Sequence, residues 1–128
     1  MIRGIPADAY PQFRGQVLPF LANFAARDLD GETVADFERR ILDRDAQVWC
    51  INEFQALALT ALTRDAVRIT HAAGVRRQDW QEAFDEEIRR WGRALGKKRV
   101  VAMVRPGWAR WGRTRGYREA HREMRIEL

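Results

Sequence analysis

Serine is absent from this chain and cysteine occurs once, at Cys50. The first absence removes serine-nucleophile hydrolases; the second leaves no internal disulfide and no thiolate cluster. Cys50 lies in the apolar run Val48-Trp49-Cys50-Ile51, the setting of a small buried hydrophobe. The two histidines, His71 and His121, share no ligand-like spacing with each other or with Cys50, so no metal site is expected. No apolar run approaches the roughly 20 residues of a membrane span. The start Met1-Ile2-Arg3-Gly4-Ile5-Pro6 lacks the apolar stretch of a signal peptide. A cytoplasmic chain with no membrane partner is the expectation.

Acidic residues are missing altogether between Ile88 and Arg118, where eleven are Lys or Arg. Charge is therefore lopsided: residues 1–65 carry a net −3 and residues 66–128 a net +8. Such a basic end suits nucleic acid, an acidic protein or an anionic cofactor, or is simply a solvated face of an arginine-rich chain. At 128 residues the chain forms one domain, 1–128, with no linker or repeat to divide it.

What is present reads as alternating strands and helices. Ile2 to Ile5 is a short strand, and Pro6-Ala7-Asp8 opens a helix with Asp8 as its cap. Tyr10, Phe13, Val17, Phe20, Leu21 and Phe24 form one helical face, with a kink or break expected near Val17-Leu18 because Pro19 lacks a donor. Asp30-Gly31 stops that helix. Thr33 and Asp36 cap a second one, whose buried stripe is Val34, Phe37, Ile41 and Leu42. From Ala46 the period becomes two. Gln47 to Asn52, Ala56 to Thr63 and Val67 to His71 are strands joined by short turns, an antiparallel meander. Asp79 and Glu82 have capping-box spacing ahead of a helix with Trp80, Phe84, Ile88, Trp91 and Leu95 on one face, ended by Gly96. Asp85 with Arg89 and Glu86 with Arg90 are acid-before-base pairs on its exposed side. Arg99 to Val104 is a buried strand, expected to pair in parallel beside Val67 to His71. Pro106-Gly107 turns into a short helix, Trp108 to Arg115, ended by Gly116. Tyr117 to Leu128 alternates as a final strand.

The fold class is thus α/β with a mixed sheet in the order β-α-α-β-β-β-α-β-α-β. That order, with Arg99 to Val104 as fifth strand and Gly116-Tyr117 as a Gly-aromatic step, resembles the GNAT superfamily of acetyl-CoA-dependent N-acyltransferases. The resemblance implies cofactor binding between splayed fourth and fifth strands. It also implies a Gln/Arg-x-x-Gly-x-Gly/Ala loop for the pyrophosphate at the start of the central helix. Here that loop is His71-Ala72-Ala73-Gly74-Val75-Arg76-Arg77-Gln78-Asp79. It has one glycine, so the candidate cofactor contacts reduce to Gly74, Arg76 and Arg77, and Asp79 would repel an anion. The family's usual acid is a tyrosine in the short helix, where this chain has Trp108 and Trp111; Tyr117 reads as packing. Glu53 and His71 are the candidate general bases, each also readable as an ordinary turn or strand-end residue.

The chain also resembles the small GNAT-fold proteins of tailed bacteriophages and prophages, some of them internal virion proteins, through its size, its Trp-rich short helix and its missing phosphate loop. The reading that follows is a non-catalytic binding or assembly component, possessing no cofactor and incorporated into a virion. Its partner-binding residues are Arg105, Trp108, Arg110, Trp111, Arg113 and Arg115, a pairing of aromatics and arginines typical of interfaces. The alternative is an acetyl-CoA-dependent N-acyltransferase with a divergent cofactor loop. A weaker alternative is a nucleic-acid-binding module.

Overall fold

The computed structural model describes residues 1–104, 106–120 and 124–128, with only the backbone of Pro106. A five-stranded sheet runs β1 (Ile2–Ile5), β2 (Gln47–Ile51), β3 (Ala56–Leu62), β4 (Ala66–Gly74), β5 (Arg99–Ala102) in spatial as in chain order. The first four strands are antiparallel neighbours. β4 and β5 pair in parallel, Val67 opposite Val100, as a strand-helix-strand crossover requires. Helices α1 (Tyr10–Arg27) and α2 (Val34–Leu42) cover one face; α3 (Gln81–Ala94) covers the other. A short helix α4 (Pro106–Thr114) follows β5.

Each face is built by period-two alternation meeting a helical stripe. Val48, Cys50, Leu57 and Leu59 point at Tyr10, Val17, Leu21, Phe24, Phe37 and Ile41 of α1 and α2. Trp49, Ile51, Ala58, Val67 and Ile69 point at Trp80, just before α3, and at Phe84 and Ile88 within it. Cys50 is fully buried, as its neighbours in sequence imply. Thr33 and Asp36 form the expected reciprocal cap of α2. The buried Tyr10 donates to Glu38 at 2.6 Å while Arg14 clamps the same carboxylate, tying α1 to α2; Arg14 holds Glu38 below the usual carboxylate range.

Several expectations are corrected. Helix α1 passes through Pro19 without a break, and Asp8 caps nothing: a 3-10 turn, Ala7–Ala9, leads into α1, with Pro11 in the first turn, where its missing N–H costs no bond. Leu42 and Leu95 are exposed, because each ends its helix beyond the last turn that faces the sheet. Trp91 is half-buried, edge-on to Trp49 at 4.9 Å. Asp79 does not cap α3, whose first residue follows Trp80. Of the expected final strand, positions 121–123 lie outside the described residues, and 117–120 and 124–128 carry no strand pairing.

Candidate functional site

The register of β3 against β4 slips between Leu59 and Thr60: Leu59 faces His71 and Thr60 faces Ile69, so Thr70 is an extra residue. Such a bulge bends and twists its strand. On the other side of β4 the pairing with β5 stops next to this bulge. The β4–β5 ladder runs from Ala66↔Arg99 to Ile69↔Ala102 and is closed by the Met103 N–H to the Ile69 carbonyl at 3.3 Å. Beyond it β4 continues from Thr70 to Gly74, paired with β3 alone among the described residues. A wedge lined by backbone donors and acceptors thus opens where β5 ends.

His71 sits at the mouth of that wedge, on the α1/α2 face. Its ring lies 4.9 Å edge-on from Phe37 and 5.1 Å from Phe24. The Thr70 hydroxyl donates to the Leu59 carbonyl at 3.2 Å, which can only accept. The same hydroxyl is 3.0 Å from His71 Nδ1 and offers it a lone pair, so the network assigns the proton to Nδ1 and the free lone pair to Nε2. Facing Nε2 at 4.0 Å is Asp28 Oδ1, at the end of α1. The other Asp28 oxygen is fixed by the N–H groups of Asp30 and Glu32, at 3.0 and 2.8 Å. Burial holds His71 below its ordinary 6.5, with Asp28 acting in the opposite direction. A neutral imidazole with a carboxylate facing its free nitrogen is equipped to take up a proton. The adjoining depression, of about 340 Å³, is lined by Asp30, Glu32, Asp36, Arg39 and Arg40.

Glu53, the other candidate base, is elsewhere. It is exposed in the left-handed turn Asn52-Glu53-Phe54 between β2 and β3. The pairs Leu59↔His71 and Ala56↔Gly74 place that turn past the far end of β4, about 10 Å or more along the strand from His71.

The loop after β4 is built differently from a glycine-rich cradle. A Cβ on Gly74 would sit 2.3 Å from the Ala56 Cβ and 2.6 Å from the Gln55 carbonyl oxygen. The glycine is therefore demanded by close strand approach. Arg76, left-handed at φ 54°, binds Asp79 at 2.8 Å, and Gln55 also donates to that carboxylate. Asp79 is thereby neutralised at the start of α3. Arg77 extends toward Gly107 at the start of α4, where a Cβ would meet its guanidinium at 3.7 Å. The loop thus offers guanidinium groups beside a helix start, a side-chain route to an anion.

The six residues expected to bind a partner divide. Arg105 lies outside the described residues. Trp108 and Trp111 are half-buried, 5.4 Å apart, and Trp108 stacks edge-on with Tyr117 at 5.1 Å. Arg110 is exposed, and Arg113 meets Glu119 at 3.2 Å. Arg115 turns inward to Glu82, Asp85 and Glu86 at 3.3 to 3.4 Å. Asp85 is buried, contrary to its reading as a surface ion pair: Arg89, Arg115 and the Tyr117 hydroxyl, at 2.5 Å, all donate to it. Arg90 pairs with Glu87 instead of Glu86. Burial and the Asp85 carboxylate push the Tyr117 phenol far up, which unsuits it as an acid. Among the described residues no cluster suits a metal ion, and no helix is long and apolar enough to cross a membrane.

No protein-family model and no curated protein matches the sequence. Solved structures match it over its whole length. A probable acetyltransferase superposes with a TM-score of 0.72 at 10% identity, covering 100% of this chain and 96% of that one. The ribosomal-protein-alanine N-acetyltransferase of Brucella melitensis biovar Abortus 2308 gives 0.70 at 14%, covering 100% and 99%. An aminoglycoside acetyltransferase from an uncultured soil metagenomic sample, solved with sisomicin, gives 0.70 at 11%, covering 100% and 95%. The likeness establishes the fold, that of the GNAT acetyltransferases; the phage subtype finds no support in it.

Proposed function

We propose that this chain is an acetyl-CoA-dependent N-acyltransferase with a divergent cofactor loop, in which His71 is the general base and Asp28 its electrostatic partner. The observation that carries the reading is the coincidence of the β4–β5 wedge with the His71–Asp28 pair at its mouth. The edge of Thr70 to Gly74 that faces away from β3 fits the amide-bearing arm of the cofactor, and Arg77, with Arg76, would meet its phosphates by charge. Acetyl-CoA, when bound, supplies an activated acyl carbon and a thiolate leaving group.

An acceptor amine arrives largely as ammonium, and Asp28 favours that cation near the site, Glu32 and Asp30 being already paired with Arg40 and Arg125. Of the two protons the ammonium must lose to become an amide, His71 Nε2 would take the one whose loss frees the amine lone pair, and the other would leave with the departing thiol or to water. Asp28 then stabilises the imidazolium. Thr70 keeps the ring in the required tautomer. A thiol titrates near about 8.5, so the leaving thiolate does not oblige the protein to supply an acid. This accords with a short helix that carries tryptophan where a tyrosine is usual.

The test is thiol release from acetyl-CoA with a panel of primary amines, comparing wild type with His71→Gln and Asp28→Asn. Loss of about 10²-fold or more in His71→Gln is expected, the usual scale of general-base catalysis. Equal rates in all three would exclude His71 from the chemistry. The second reading, a non-catalytic binding or assembly component such as a virion protein, is favoured by the loop's lack of spaced glycines, and predicts no thiol release with any amine.

A further inference from the structure

Among the described residues β5 is the edge of the sheet. The N–H groups of Arg99 and Met103 point at β4, bonding the carbonyls of Asp65 and Ile69. By alternation the N–H and C=O groups of Val100 and Ala102 point outward. They face a groove of about 1130 Å³ whose far wall is α4 and the segment 116–120. Nine Lys and Arg residues and a single acid, Glu119, line it. Some of these cations are engaged: Arg89 on Asp85, Arg113 on Glu119, Lys98 on Asp65, and Lys97 on the carbonyls of Thr63 and Arg64. Arg68, Arg93, Arg99, Arg110 and Arg118 make no ion pair among the described residues. Met103 and Val104 leave an apolar strip exposed at the end of β5.

We infer that the open edge of β5 takes an extended acidic peptide of alternating acidic and apolar residues, added to the sheet as a sixth strand. Backbone ladder bonds to Val100 and Ala102 supply register, as in other strand additions. Period two then sends one set of side chains to the apolar strip and the other to the arginines. The same cations deter a second copy: two β5 edges brought together would set Arg99 and its neighbours against their like. Nucleic acid would meet the arginines, but a phosphate chain has no amide pattern to match the outward groups. The inference is independent of the His71 reaction, and either can fail alone.

The probe is a short fluorescein-labelled peptide of alternating glutamate and valine, read by anisotropy. Its comparisons are a lysine–valine peptide, a single-stranded oligonucleotide, and the glutamate–valine peptide methylated on alternate backbone nitrogens. Wild type should bind the acidic peptide, while Arg93→Glu with Arg99→Glu should abolish binding. Ala102→Pro removes only an outward donor, which edge strands tolerate, and should weaken binding about tenfold. Backbone methylation of the peptide should do the same to the unaltered protein, so the ladder is tested even if Ala102→Pro misfolds. Undiminished binding of the methylated peptide would reduce the site to charge alone and overturn strand addition. Binding of the oligonucleotide in preference to the peptide, dimerisation through the edge that excludes the peptide, or no binding of any probe would each overturn it too.

Discussion

Asp85→Asn should loosen α4 without unfolding the sheet. The carboxylate is almost wholly covered, its side chain 2% exposed, while its partners Arg89 and Arg115 retain 30% and 26%. In the amide variant an NH₂ group faces two guanidiniums, and the short Tyr117 hydrogen bond at 2.5 Å loses its charged acceptor. Breaking a buried pair costs about 3–5 kcal/mol. Here both arginines reach water once released, which lowers the figure to about 2–3 kcal/mol. Because Arg115 and Tyr117 follow α4 and meet α3 through these side chains and through the Arg115 carbonyl, which accepts from Arg89 at 2.6 Å, the loss falls on docking of α4 more than on the global transition. Hydrogen exchange of α4 amides at 107–114 should therefore quicken roughly 30- to 150-fold, with a red shift of Trp108 and Trp111 emission and a small change in melting temperature. Tyr117→Phe should show the same pattern at about half the free energy. Unchanged α4 exchange in Asp85→Asn would refute the role given to this cluster.

Other perturbations probe the remaining contacts. Gly74→Ala should destabilise by about 1–3 kcal/mol in urea titration, since its Cβ meets the Ala56 Cβ at 2.3 Å with backbone behind it. Trp91→Ala should cost about 2 kcal/mol, less than a fully buried ring, because only one edge packs on Trp49; an unchanged midpoint would deny that contact. His71 titrates below its ordinary 6.5 when folded, so the unfolded chain binds the proton first as pH falls. Its contribution is complete above that ordinary value and is lost as pH falls through the folded one. Comparing urea midpoints from pH 7 downward, His71→Gln should lack that part of the decline.

Periodicity made most of the fold legible. The meander, the α3 stripe and the parallel β4–β5 pairing follow from spacing and from the handedness of crossovers, which act locally. The final strand did not follow: Met124, Ile126 and Leu128 alternate as a strand would, yet all three are exposed, because alternation supplies a face and not a partner. The site was half legible. His71 could be nominated from its residue type and strand end, whereas Asp28, which gives it chemical meaning, lies in a loop far off in sequence. The Thr70 bulge has no signature in a run of Ile69-Thr70-His71. Asp85 looked like a surface partner of Arg89 because helical spacing records neighbours on one helix; its burial comes from Arg115 and Tyr117, which arrive from another. Gly74 was nominated for a cofactor because glycines often cradle phosphates, but its neighbour proved to be β3.

Calorimetric titration of the purified chain with acetyl-CoA bears most directly on the central claim, that the β4–β5 wedge and its arginine loop receive this cofactor. Saturable binding, weakened about tenfold or more in Arg77→Ala by loss of a charge-assisted phosphate contact and retained in His71→Gln, is the predicted result. A flat titration of folded wild-type protein would contradict it and leave the non-catalytic reading in its place.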